Sequence, residues 1–142
     1  MTNAELILEA KKARERAYVP YSHHSVGAAL VTKSGKIYHG CNIENAAYGP
    51  TNCAERTAFF RAVYEGEREF ARIAIVGGME ESDGNTTCAP CGVCRQVMME
   101  FCDPETFEIV LADGEGKELV YTLKELLPLG FGPDNLGKNM KK

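Results

Sequence analysis

Phe70-Ala71-Arg72-Ile73-Ala74-Ile75-Val76-Gly77 decides the fold. Its run of branched apolar residues reads as a central strand. Upstream, a helix of about Cys53 to Glu65 buries Ala54, Ala58, Phe59, Ala62 and Val63 and stops at Gly66. Downstream, the polar connection Gly78 to Ala89 leads to Pro90 and a second helix, about Cys91 to Phe101, packed through Val97, Met98 and Phe101. A strand set between two amphipathic helices points to an α/β domain.

Further out, Thr2 and Glu5 have capping-box spacing. Ala4, Ile7, Leu8, Ala10, Ala13 and Ala17 then give a helical apolar face reaching Tyr18, with Lys11, Lys12, Arg14, Glu15 and Arg16 mainly on the wet side. Pro20 ends that helix, because the preceding Val19 is biased to extended geometry. Val26 to Thr32 and Ile37 to Ile43 read as a hairpin about Lys33-Ser34-Gly35-Lys36. Phe107 to Ala112 and Lys117 to Thr122 are strands joined by Asp113-Gly114-Glu115-Gly116. That turn is too short for a parallel crossover, so the last two strands must run antiparallel. Leu123 to Leu127 is a helical turn ended near Pro128. The order α-β-β-α-β-α-β-β predicts a three-layer α/β/α domain with a mixed five-stranded sheet. One domain is expected over residues 1–131, with 132–142 as a frayed tail.

The chain has 142 residues, 44% of them apolar and 25% charged, as expected of one ordinary globular domain. Its net charge of -4 and lack of a basic run argue against a nucleic-acid partner and leave a small uncharged substrate. No apolar run approaches the ~20 residues that span a membrane, and the N-terminus lacks an apolar secretory core. A cytoplasmic location is expected. In that reducing compartment the six cysteines are not expected to form disulfides.

The chemistry gathers in two stretches. Thr51-Asn52-Cys53-Ala54-Glu55-Arg56 offers a thiol two residues before a carboxylate, and Pro90-Cys91-Gly92-Val93-Cys94-Arg95 offers two thiols one helical turn apart. Cys-x-x-Cys alone also suits a redox pair or a closed structural zinc site, with Cys41, Cys88 or Cys102 as fourth ligand. A carboxylate beside a ligand has a use when an open metal position holds water. Cys41 and Cys102 read as buried thiols, and Cys88 lies in the loop near the site. Zinc with three thiolates carries a net charge of about -1 and is a weaker Lewis acid for it. Arg56 and Arg95 are the candidates to draw charge off the sulfurs, each with a surface charge as the alternative. Asn42 and Glu44 share a strand face, where an amide beside a carboxylate can hold sugar hydroxyls or simply be a solvated strand end.

Cys53-x-Glu55 with Pro90-Cys91-x-x-Cys94 follows the signature of the zinc deaminases. Together with Asn42-Ile43-Glu44-Asn45-Ala46 and Glu125-Leu126-Leu127-Pro128, it resembles the small tetrameric cytidine deaminases from about Glu5 to Phe131. The resemblance implies hydrolytic deamination of cytidine and deoxycytidine in pyrimidine salvage, with one zinc ion per subunit. It implies Cys53, Cys91 and Cys94 as zinc ligands. Zinc hydroxide would attack C4, and Glu55 would carry protons to N3 and to the leaving amine. Asn42 and Glu44 would hold the ribose 3′-hydroxyl, the Ala54 backbone would meet the base, and Arg56 would bond the thiolates. Tyr48 would lie near the site, and Phe131 would reach a neighbouring subunit's site within a homotetramer. The family usually has Phe before the Val-Gly-Ala-Ala segment; here that position is His24, an imidazole that can stack and can titrate. The loop before Pro90 is slightly longer than usual and adds Cys88.

Overall fold

In the computed structural model, which describes residues 1–138, the elements are α1 (Asn3–Arg14), β1 (His24–Thr32), β2 (Ile37–Cys41), α2 (Ala54–Tyr64), β3 (Phe70–Met79), α3 (Gly92–Phe101), β4 (Glu108–Ala112), β5 (Glu118–Thr122) and α4 (Leu123–Leu126). The five strands form one sheet in the order β2-β1-β3-β4-β5. β1 is antiparallel to β2 and β3, β3 is parallel to β4, and β4 is antiparallel to β5. The sheet is therefore mixed, and the last two strands run as their short turn requires.

Alternation along the strands builds the layers. Ala28, Leu30, Ile73, Ile75, Ile109 and Leu111 pack against Ala54, Ala58, Phe59 and Ala62 of α2 and Cys94 and Met98 of α3. Ala29, Val31, Ala74, Val76 and Val110 face the other way, onto Leu6 and Ala10 of α1. Phe59 anchors the larger core, its ring 5.1 Å from Phe70 and 6.0 Å from Phe107. Gly40 lets α2 settle closely on β2: a Cβ there would stand 2.3 Å from the Ala54 carbonyl oxygen and 2.6 Å from the Ala58 nitrogen.

Five sequence expectations need correction. α1 ends at Arg14, short of Tyr18. The chain tightens through Ala17 N–H to Arg14 O, then Tyr18 exchanges backbone bonds with Asn42 O and Glu44 N–H and is drawn beside the strand. The buried stripe of α1 is Leu6, Ala10 and Ala13, while Leu8 is exposed. Arg14, expected on the wet side, is buried with that stripe. Cys41 is only half-buried, its thiol donating to the Arg16 carbonyl. Past α4, Pro133 is buried and Pro133–Leu136 forms a 3₁₀ turn where a frayed tail was expected; the last part of that tail, 139–142, lies outside the described residues.

Candidate active site

Cys53 and Cys91 are the N-caps of α2 and α3. The helix starts they cap leave backbone N–H groups without intrahelical partners and carry the positive end of the helix dipole. Cys94 lies one turn into α3 and is buried. The two helices lie on the same sheet face, so their first turns converge. Cys53 Sγ is 3.8 Å from Cys91 Sγ, Cys91 Sγ is 3.5 Å from Cys94 Sγ, and all three lie within 4.8 Å of one another. A tetrahedral zinc ion with bonds of about 2.3 Å sets its sulfurs roughly 3.8 Å apart, close to the spacing of these thiols. Among the described residues no fourth Cys, His, Asp or Glu joins this group. Three protein ligands are the set of a catalytic zinc site, which keeps a position open.

Around the thiols the electrostatics are strongly perturbed. Hydrogen bonding from Cys94, then from Arg56, lowers the Cys53 thiol to about 5, and the Cys53 thiolate in turn raises the Cys94 thiol. Arg56 Nη2 donates to Cys53 Sγ at 3.2 Å. Its Nε is buried and has no hydrogen-bond partner among the described residues. Glu55, the second residue of α2, is 4% exposed. Burial raises its carboxyl to about 7, and the Cys53 charge adds to the shift. Ala54 is fully buried as the first residue of α2.

Arg95, offered alongside Arg56 as a thiol partner, binds backbone instead: Nε donates to Pro90 O at 2.8 Å and Nη1 to Leu126 O at 2.6 Å. Cys88 stays out of the thiol group. Burial raises its thiol to about 11, helped by the charges of Glu55 and Cys53.

The expected sugar-binding residues are near each other and heavily engaged. Asn42 Oδ1 accepts from Val26 N–H at 2.8 Å and its Nδ2 donates to His24 O at 2.9 Å. One amide hydrogen and one lone pair remain for a ligand. Glu44 accepts from the backbone of Tyr21 (3.0 Å) and Ser22 (3.2 Å) and from the Ser22 hydroxyl at 2.5 Å, which lowers its pKa, the hydroxyl contributing most. Tyr21, Ser22, Glu44, Tyr48 and Thr51 line one cleft of about 380 Å³. Tyr48 is exposed, has a positive φ of 61°, and meets Tyr21 edge to face at 6.1 Å. His24 is exposed and lines a separate cavity of about 290 Å³ with Gly77, Gly78, Thr87 and Cys88 among others. Phe131 is exposed, and its carbonyl accepts from Gln96 Nε2 at 2.8 Å. Sequence reading missed Ser22, Tyr21 and Gln96. Their partners come from distant segments, so local spacing carried no signal for them.

Residues 1–109 match the family profile described as the cytidine and deoxycytidylate deaminase zinc-binding region. The chain is 51% identical over 132 residues to a cytidine deaminase of Sporosarcina psychrophila, covering 93% of each. It is 48% identical over 136 residues to a cytidine deaminase of Halalkalibacterium halodurans, covering 96% of this chain and 98% of that one. The crystal structure of a cytidine deaminase from Burkholderia pseudomallei superposes with a TM-score of 0.83 at 54% identity, covering 92% of this chain and all of that one.

Proposed function

The chain belongs to the cytidine and deoxycytidylate deaminase zinc-binding family, and on that premise we propose that it hydrolyses cytidine and deoxycytidine to uridine and deoxyuridine with release of ammonia. The observation that carries this reading is the meeting of Cys53, Cys91 and Cys94 at two helix starts beside the buried carboxyl of Glu55. Zinc held by those three thiols supplies the Lewis acidity that makes water nucleophilic near neutral pH.

Glu55 moves the protons. Its carboxyl takes one proton from the attacking water and passes it to N3 of the pyrimidine, then takes the second from the hydroxyl added at C4 and passes it to the amine that leaves. A carboxyl poised at about 7 can act first as base and then as acid near neutral pH. Arg56, bonded to Cys53 Sγ, draws electron density from an electron-rich thiolate set. The free amide hydrogen of Asn42 and the remaining lone pairs of Glu44 hold the ribose 3′-hydroxyl. The Ala54 backbone meets the base. Tyr48, in the cleft with Glu44, and His24, in the neighbouring cavity, flank the nucleoside, and Phe131 completes the site of another copy in a homotetramer, its exposure supporting that role. The working unit is one domain over residues 1–131 with one zinc ion, acting in pyrimidine salvage in the cytoplasm.

Zinc-loaded protein mixed with cytidine should lose the cytidine absorbance as uridine forms. Absence of turnover on both cytidine and deoxycytidine, with activity on another amine-bearing base, would overturn the substrate.

A further inference from the structure

Arg14 is 9% exposed, in the last turn of α1, on the sheet face opposite the thiols. Among the described residues no carboxylate forms a salt bridge with it, yet all three guanidinium nitrogens donate. Nε bonds the Ser25 carbonyl at 3.1 Å and the Ser25 hydroxyl at 2.9 Å. Nη1 bonds Ser82 O at 2.9 Å. Nη2 bonds Gly78 O at 3.1 Å, Met79 O at 2.5 Å and the Ser82 hydroxyl at 3.1 Å. Burying a cation against neutral acceptors is unfavourable unless every donor is satisfied. An alanine would seat α1 on the sheet more simply, as Ala10 and Ala13 do. Packing alone does not call for a guanidinium here.

Its acceptors lie on two segments that border the cavity lined by His24. Ser25 sits between His24 and Val26, and Asn42 grips both from the other side through His24 O and Val26 N–H. Gly78, Met79 and Ser82 form the exit of β3 and the loop running to Cys88. His24, Gly78, Met79, Ser82 and Cys88 together line the cavity of about 290 Å³. The loop closes tightly over the guanidinium: Gly84 has a φ of 78°, and a Cβ there would stand 2.7 Å from Arg14 Nη1. The planar fork of arginine can hold several carbonyls in fixed relation, which the ammonium of lysine cannot.

We propose that Arg14 is a positioning residue for nucleoside binding: by tying Ser25 to Gly78, Met79 and Ser82, it fixes the His24–Val26 segment that orients Asn42 and the loop that walls the pocket. The proposal rests on the functional reading above.

The test compares wild-type protein with Arg14→Lys. The expected result is a KM for cytidine raised about tenfold, kcat within about threefold, and unchanged zinc content, because the thiols sit on α2 and α3. A lower melting temperature with kcat and KM both unchanged makes the role merely structural and overturns the proposal, as does a fall in kcat alone or loss of zinc. Ser25→Ala removes one acceptor, leaves the Ser25 carbonyl bond in place, and covers the case in which Arg14→Lys does not fold. Its KM should rise about twofold to threefold, and no rise overturns the proposal. Digestion with a Glu-specific protease reads the loop without activity: faster cleavage after Glu80 and Glu81 in Arg14→Lys is expected, and an unchanged rate overturns the proposal. Wild-type protein inactive on cytidine defeats the functional reading and leaves the digestion result to decide the positioning.

Discussion

The two ends of the site are built on opposite terms. At the metal end, functional groups sit at helix starts and face one another, and Glu55 is buried where its charge is unwelcome. At the sugar end, Asn42 and Glu44 already satisfy backbone groups of residues 21–26 before any ligand arrives. Function at the metal end therefore works against stability. At the proposed sugar end the side chains that would hold the ligand already serve the fold.

The sharpest way to break that contrast is Cys91→Ala. Zinc content and turnover should both fall to background, measured by metal analysis beside the cytidine assay. An active, zinc-retaining variant would mean that another group, Cys88 first, can replace the ligand.

Glu55→Gln should keep zinc and fold while turnover falls by about four orders of magnitude, the upper range for a proton-transfer group. A structural zinc protein would show no measurable change.

In metal-stripped protein the same substitution should stabilise. The Glu55 carboxyl is raised from 4.5 to about 7 by burial. The unfolded chain therefore ionises first, and stability is lost as pH rises from about 4.5 to 7 and stays lost above that. Glu55→Gln has no such loss, so its advantage in denaturant melts should grow over that window to about 3 kcal/mol at pH 8. A pH-independent difference would put the carboxyl in a better solvated place.

Asn42→Ala should show the other behaviour with smaller numbers. Two backbone groups lose partners, so stability drops by about 1–2 kcal/mol, and KM for cytidine rises roughly tenfold with kcat moved less. If KM rose while the melt stayed unchanged, the side chain would serve the ligand alone.

These two ends also differ in how far the sequence reveals them. Cys53, Glu55, Cys91 and Cys94 are close in sequence within two short stretches, and helix geometry alone aligns each stretch, so spacing was enough. The antiparallel run of the last two strands was legible for similar local reasons, through the short turn between β4 and β5. What Asn42, Glu44 and Ser22 bond depends on a contact between residues some twenty apart. Arg14 was misplaced because helical periodicity marks a cation as wet, while its six hydrogen bonds go to the start of β1, the end of β3 and Ser82 just beyond it. Periodicity sees a helix face and not the carbonyls waiting opposite it.

Gly40 gives the site an unexpected vulnerability. The carbon it lacks is the space in which the first turn of α2 rests on β2, and that turn carries Cys53 and Glu55. In a saturation screen for loss of activity, every substitution at Gly40 should score beside those at Glu55, although residue 40 has no side chain to offer a ligand. The catalytic geometry is inherited partly through a residue whose contribution is to be missing.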